Sequence, residues 1–169
     1  SPTMSPRMAS IANKFDASLS LAGRVGSTMV IVQRAEAPSM LRLNFTVGTA
    51  LTLERSAVGG AYFAATCDED RAATLEALKE RLSPQALGDA RAWLQECCQM
   101  YSQHGYVLNL RRYHPEVCAI AVPIVSIDGK TVMSLNCGGP ASRMPPELLT
   151  GPVLHELQSL ARQLQQLMF

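Results

Sequence analysis

An α+β fold, with a roughly six-stranded antiparallel sheet and helices packed on it, is what this sequence predicts, on three observations. Two apolar runs between Val117 and Cys137 flank Asp128-Gly129. That dipeptide suits the φ > 0 pair of a tight type I′ turn, so the runs read as a β-hairpin. A second hairpin is written near the start, where Leu19 and Leu21 alternate with Ser18 and Ser20 and a second strand-like run begins at Thr28. The helical patterns are grouped between these strand sets and at the chain ends. Alternation of single strands with single helices, the mark of a parallel sheet, is absent.

Each element has its own signal. Pro6 to Phe15 carries Met8, Ile11, Ala12 and Phe15 at helical spacing. Ser18 to Leu21 then reads as a half-buried strand, Gly23 to Gly26 as a turn, and Thr28 to Gln33 as the partner strand. Leu41-Arg42-Leu43-Asn44-Phe45 alternates and predicts a third strand after Pro38. Ser56 is placed to cap a helix that reaches Ala65 through Gly59-Gly60-Ala61, small residues that allow close packing. Asp68 is expected to cap the next helix, with Leu75, Leu78 and Leu82 as its apolar stripe. Ser83-Pro84 is a cap followed by proline at the first helical position, and this helix should stop near Gly105. Strands are expected at Tyr106 to Arg111, Val117 to Ile127 and Lys130 to Cys137, ending at Gly138-Gly139-Pro140. Pro145-Pro146 opens a last helix, with Leu149, Val153, Leu157, Leu160, Leu164 and Leu167 along one side.

Composition narrows the function. With 169 residues, 47% hydrophobic and 17% charged, the chain is expected to form one domain spanning residues 1–169, with a substantial core. A net charge of +1 offers no field for nucleic acid, and the basic residues are scattered. The 5 cysteines lack metal-ligand spacing, which fits reduced, buried thiols and a cytoplasmic setting. No apolar run reaches the ~20 residues of a membrane span. Ser1-Pro2-Thr3-Met4-Ser5-Pro6 reads as the middle of a longer protein.

Enzyme chemistry has no foothold. His104, His114 and His155 lie in no metal-pair spacing. There is no nucleophile elbow, P-loop or dinucleotide fingerprint. Asp68-Glu69-Asp70 fits ordinary compensation of a helix dipole. No catalytic residue, metal or cofactor is therefore assigned. The helix start at Ser56 offers more: the amides around Ala57, Val58 and Gly59 form an electropositive end suited to an anion. On the last strand a residue facing such a site must share the parity of Ser134. That puts Asn136 and Gly138 on one face, Leu135 and Cys137 on the other.

Three segments then line up with one family. TMVIVQRAE (28–36) resembles its early strand, and GTALTLERSAVGGA (48–61) its helix-start signature. Gly105-Tyr106, Val117 to Pro123 and Gly139-Pro140-Ala141-Ser142-Arg143 resemble its C-terminal signature. Taken in order, they make the chain similar, from about Pro6 to Met168, to the effector-binding domain of IclR-type (isocitrate lyase regulator) bacterial transcription factors.

That resemblance implies a sensor fold related to GAF and PAS domains, a small organic effector, and a homodimer or homotetramer. It also implies a winged helix-turn-helix outside this chain, through which alone DNA would be bound, and control of a catabolic operon. Carried over position by position, the ligand-binding residues are Ser56, Ala57 and Val58 at the helix start, Asn109 after the Gly-Tyr, Ala119 on a strand, and Asn136 and Gly138 on the last strand. Carboxylate-binding members have a glycine-alanine pair where Ala57 and Val58 stand, and some have two serines where Asn136 and Gly138 stand. These departures point away from a glyoxylate- or pyruvate-like ligand and toward a neutral polar or larger aromatic effector. In the plainer alternative, Asn136 only closes its strand and Asn109 faces water. Rival readings are a GAF- or PAS-type sensor in another signalling protein, a small metabolite enzyme, or a purely structural dimerisation domain.

Overall fold

The computed structural model describes residues 5–39 and 46–168. The elements are α1 (Ser5–Phe15), β1 (Ser18–Val25), β2 (Thr28–Glu36), β3 (Ala50–Thr52), α2 (Ala57–Ala65), α3 (Asp68–Arg81), α4 (Pro84–His104), β4 (Val107–Leu110), β5 (Val117–Val125) and β6 (Val132–Pro140). The chain ends in α5 (Pro146–Leu148), a π turn (Leu149–Val153) and α6 (Leu154–Met168). The strands form one 6-stranded antiparallel sheet in the order β3-β2-β1-β6-β5-β4. The α+β architecture foreseen from the sequence is the one observed.

Helices cover both faces of this sheet. On one face, Met8 and Ile11 of α1 and Leu157, Leu160 and Leu164 of α6 pack with Leu19, Leu21, Ile120, Leu135 and Cys137. On the other, Val58 and Ala61 of α2 and Trp93, Leu94 and Cys97 of α4 pack with Ala22, Met29, Ile31, Val107 and Ala121. The β1 strand is therefore buried on both sides, not half-buried: Ser18 is 7% exposed and Ser20 1%. Hydroxyls sealed this way need partners or a ligand.

Helix α2 sits against the sheet because its sequence is small and apolar. Ser56 caps it as expected, its Oγ accepting the Gly59 N–H at 3.1 Å. At the other end Arg71 donates to the carbonyls of Phe63 and Ala64 at 3.0 and 2.6 Å, satisfying acceptors that the helix leaves open. Losing the N-terminal cap should cost about 1 kcal/mol. Ser56→Ala should thus melt about 2–4 °C lower, and Ser56→Asp should restore most of the loss, both read by thermal denaturation.

Several local expectations are corrected. The alternating run at residues 41–45 lies outside the described residues, and the strand pairing with β2 is Ala50–Thr52. The Asp128-Gly129 turn is not type I′, because only Gly129 has positive φ (75°). Instead the Gly129 N–H closes on the Ser126 carbonyl at 2.8 Å. The Asp128 carboxylate accepts from Ser126 Oγ at 2.7 Å and the Lys130 N–H at 3.0 Å. The Lys130 amide, helped by Ser126, holds the Asp128 carboxyl below its usual range. β6 runs on through both glycines to Pro140 rather than stopping before them. Cys67, not Asp68, occupies the N-cap of α3 and makes no side-chain cap bond.

The final helix is broken by the π turn around Pro152, whose ring nitrogen has no hydrogen to donate. Leu149 to Leu164 of the foreseen stripe are buried, but Leu167 is 59% exposed. Of the cysteines, Cys97, Cys118 and Cys137 are buried while Cys67 is exposed and Cys98 intermediate, so burial does not extend to all of them. Desolvation pushes the Cys137 thiol up to about 12. That leaves it almost wholly protonated at neutral pH, as suits a packing residue.

Candidate functional site

A cavity of about 830 Å³ opens where the N-terminus of α2 stands over the sheet. Its floor is built by strand register. In one row across the sheet Glu36 pairs Ser18, Ser18 pairs Gly138, Gly138 pairs Ala119 and Ala119 pairs Asn109. In the next, Arg34 pairs Ser20, Ser20 pairs Asn136 and Asn136 pairs Ala121. Cross-strand neighbours share a face, so serines, asparagines and an arginine converge beneath α2. Leu51, Ser56, Ala57, Tyr113, His114, Glu116 and Arg143 supply walls and rim.

Of the residues singled out from the sequence, Ser56, Ala57, Asn109, Ala119, Asn136 and Gly138 all line this cavity. Val58 does not: it is fully buried in the core and its carbonyl accepts the Ser134 hydroxyl at 2.7 Å. The parity argument holds, with Leu135 and Cys137 turned to the opposite core. The electropositive helix end is less open than the sequence implies, since Ser56 already takes the Gly59 amide.

Asn109 does not face water. It is 2% exposed and acts as a staple. Its Oδ1 accepts the Arg112 and Tyr113 N–H groups at 2.8 and 3.1 Å, and its Nδ2 donates to the Arg55 carbonyl at 2.7 Å. It thereby ties the loop after β4 to the segment before α2, setting the width of the cavity between them. Asn136 differs. Its Oδ1 is buried without a hydrogen-bond partner among the described residues. A buried acceptor with no donor is costly, by about 1–3 kcal/mol, and is the kind of group a ligand N–H or O–H relieves.

Among the cavity residues that sequence reasoning missed is Arg34. Its side chain is only 8% exposed. It donates to Ser20 Oγ at 2.6 Å and pairs with Glu36 at 3.3 Å. Burial lowers its pKa, opposed by the nearby Glu36 carboxylate. On β2, Met29 and Ile31 face α2, so simple alternation would turn Arg34 away from the cavity. A β-bulge between Leu21 and Ala22 of the register adds one residue to β2, and beyond it Arg34 and Glu36 take the α2 face. No motif announces that bulge; the polar Gln33-Arg34 pair following the apolar run Met29–Val32 was the one available sign.

At the rim, Asp16 accepts from both Ser39 and Arg143, joining two residues that line the mouth. Tyr113 has its phenol pushed up by burial, an effect that Arg55 reduces. His114 uses Nδ1 to accept the Glu116 N–H at 3.0 Å. No group of three or more acidic, histidine or cysteine side chains among the described residues is arranged to hold a metal ion. No helix among them is long and apolar enough to cross a membrane.

Comparison with known proteins identifies the family. Residues 2–166 match the family model for the C-terminal domain of the bacterial transcriptional regulator IclR. The HTH-type transcriptional regulator TsaQ1/TsaQ2 of Comamonas testosteroni is 26% identical over 157 residues, covering 90% of this chain and 56% of that protein. The p-hydroxybenzoate hydroxylase transcriptional activator of Acinetobacter baylyi is 32% identical over 88 residues, 52% of this chain and 32% of that protein. The chain thus spans little more than half of the first relative and a third of the second. Among solved structures, an IclR family transcriptional regulator from Brucella abortus superposes with a TM-score of 0.88 at 27% identity, over 99% of this chain and 63% of that one. The inducer-binding domain of PobR from Acinetobacter, a double mutant in complex with 3-hydroxybenzoic acid, has a TM-score of 0.78 at 21% identity, over 99% of this chain and 98% of that one. Fold and family match agree: this chain belongs to the C-terminal, effector-binding domain family of IclR-type transcriptional regulators, which are not enzymes.

Proposed function

We propose that the domain senses a small aromatic acid on behalf of a DNA-binding regulator of a catabolic operon. The observation that carries this reading is the cavity itself, about 830 Å³, in which a few polar groups converge on one floor. That volume and that sparse polarity are typical of small-molecule sites. Ser56, Ala57, Asn109, Ala119, Asn136 and Gly138 are the residues proposed to shape it, with Val58 supporting from the core. The hydroxybenzoate bound by PobR and the p-hydroxybenzoate hydroxylase activator among the relatives support an aromatic acid.

The whole protein is proposed to be a cytoplasmic homodimer or homotetramer that meets DNA through a winged helix-turn-helix outside this chain. Effector binding would then act by favouring one quaternary arrangement over another. It can do so only to the extent that the two arrangements differ in affinity for the ligand.

Thermal melting against benzoate, its hydroxy derivatives and aliphatic acids tests the reading. A ligand at ~100 times its dissociation constant adds about 2.7 kcal/mol, or about 5–11 °C for a domain of this size. Asn136→Ala removes an unmet buried acceptor, so it should not lower the unliganded melting temperature while it shrinks the ligand-induced shift. An unshifted melt across the whole panel would sink the sensing role.

A further inference from the structure

A second cavity, of about 520 Å³, lies between α4 and the segment that leads into α2. Asp89, Ala90 and Trp93 of α4 form one side, Glu54 and Arg55 another, and Arg112 closes it from the loop after β4. None of its lining residues lines the cavity beneath α2. Its volume falls in the range of small-molecule sites.

Trp93 singles this groove out. The residue is 5% exposed, yet its Nε1–H is buried with no acceptor among the described residues. An indole nitrogen only donates, so it cannot be satisfied by another donor nearby. Buried tryptophans ordinarily find a partner for this hydrogen. Arg112 stacks its guanidinium over the ring, 4.7 Å from the centroid. That contact is made with the face of the ring, whereas the N–H lies in the ring plane, so the stack leaves the donor unmet.

The charged groups around the indole decide what would answer it. Arg81 and Glu54 engage each other at 2.7 Å, with the glutamate side chain 7% exposed. Arg112 meets Glu96 at 3.2 Å, but both side chains are 52% exposed, and surface pairs of this kind contribute little. Arg55 reaches only the Tyr113 carbonyl, in a long contact of 3.4 Å. Asp89 is exposed, where water and salt screen it. Arg55, Arg81 and Arg112 against Glu54 and Asp89 leave the lining with a net positive charge.

We infer that this groove is a second ligand site, separate from the cavity beneath α2, and that it takes a small oxyanion, a carboxylate or phosphate group, between the Trp93 indole N–H and the guanidiniums of Arg55 and Arg112. Planar guanidinium donors suit either group. The two sites share a strut: Asn109, which lines the first, holds the Arg55 carbonyl and the Arg112 amide, whose side chains line the second. The inference is independent of the sensing role proposed above, since the two sites have no lining residue in common.

Trp93 is the only tryptophan of the chain, so its fluorescence reads the groove directly. The 169-residue chain is titrated with acetate, succinate and inorganic phosphate, against sodium chloride at matched ionic strength. A saturable change in emission is expected with at least one of the three and not with chloride; which one responds separates carboxylate from phosphate. In Arg55→Gln and Arg112→Gln, which keep the fluorophore, affinity for that anion should fall on the order of 10-fold, as loss of a charge-assisted contact requires. Trp93→Phe keeps most of the packing but not the N–H, and calorimetry with the same anion should show a comparable loss. Should Trp93→Phe fail to fold, the two exposed arginines carry the test alone. Emission that none of the three anions changes saturably overturns the inference. So does a change that survives undiminished in both arginine variants, because the anion then sits elsewhere. Undiminished calorimetric binding in folded Trp93→Phe overturns it as well.

Discussion

Replacing Gly59 by alanine is expected to cost about 3 kcal/mol or more and to lower the melting temperature by about 6–12 °C. A Cβ at position 59 would stand 2.0 Å from the Leu53 carbonyl oxygen and 2.6 Å from its carbon. Those atoms are backbone, and Leu53 is itself fully buried, so neither partner can swing aside. Either α2 lifts off the sheet or the segment before it shifts. Both open the cavity that Ser56 and Ala57 wall. The neighbouring glycine provides the control. At Gly60 the added Cβ meets Cys97 Sγ at 2.5 Å and side-chain atoms of Cys97 and Val107 at 3.2 Å. Side chains can yield where backbone cannot, so Gly60→Ala should cost less, about 1–3 kcal/mol. Cys97→Ala removes the sulfur and should recover much of that loss in the double variant, whereas no side-chain truncation should rescue Gly59→Ala. Equal losses at the two positions would contradict this account of how α2 is seated.

Asn109→Ala should cost about 2–4 kcal/mol, because it leaves two buried amides and a carbonyl without partners at once. The amides belong to Arg112 and Tyr113 and the carbonyl to Arg55. Hydrogen exchange should report the change locally, with the Arg112 and Tyr113 amides losing protection beyond what the global drop in stability explains. Tyr113 and His114 line the cavity, so ligand affinity should fall with the anchor even though the Asn109 amide is committed to the fold. Asn109→Asp keeps both accepted bonds but turns an oxygen toward the Arg55 carbonyl, and should fall between alanine and the parent. The contrast with Asn136→Ala separates the two asparagines: one maintains the site's shape, the other lies along its wall with an acceptor still unmet. A stability loss at Asn136 as large as that at Asn109 would remove this distinction.

Much of this was legible because it is local. Caps at Ser56 and Ser83 bond to amides three residues away. Gly105 ends α4 in the left-handed conformation, with φ 79°. Such features depend on a few neighbouring residues, and the sequence names those residues directly. The parity of Ser134, Asn136 and Gly138 was legible for the same reason, since β6 is regular across that stretch and period 2 carries through. The family resemblance added the positions of the candidate site residues, and all but Val58 line the cavity. The errors fall where a local signal has more than one solution. Asp128-Gly129 permits a two-residue turn, but the six residues between β5 and β6 close instead through Asp128's own carboxylate. Pro145-Pro146 does start a helix, yet the helix must pass Pro152, and the missing N–H is absorbed by a π turn.

By itself, then, the sequence determined the α+β class, the helix ends at Ser56, Ser83 and Gly105, the strand that carries Asn136 and the family. What only the tertiary structure decided is which charged group of β2 is turned into the cavity. Arg34 and Ser20 are far apart in the chain's own pattern, and period 2 along β2 aims Arg34 at the wrong face. A single extra residue in that strand inverts the alternation, because side chains in a strand switch faces at every step. Whether such a residue is accommodated depends on the partner strand and on the helix packed above it, and neither is encoded in the nine residues of β2.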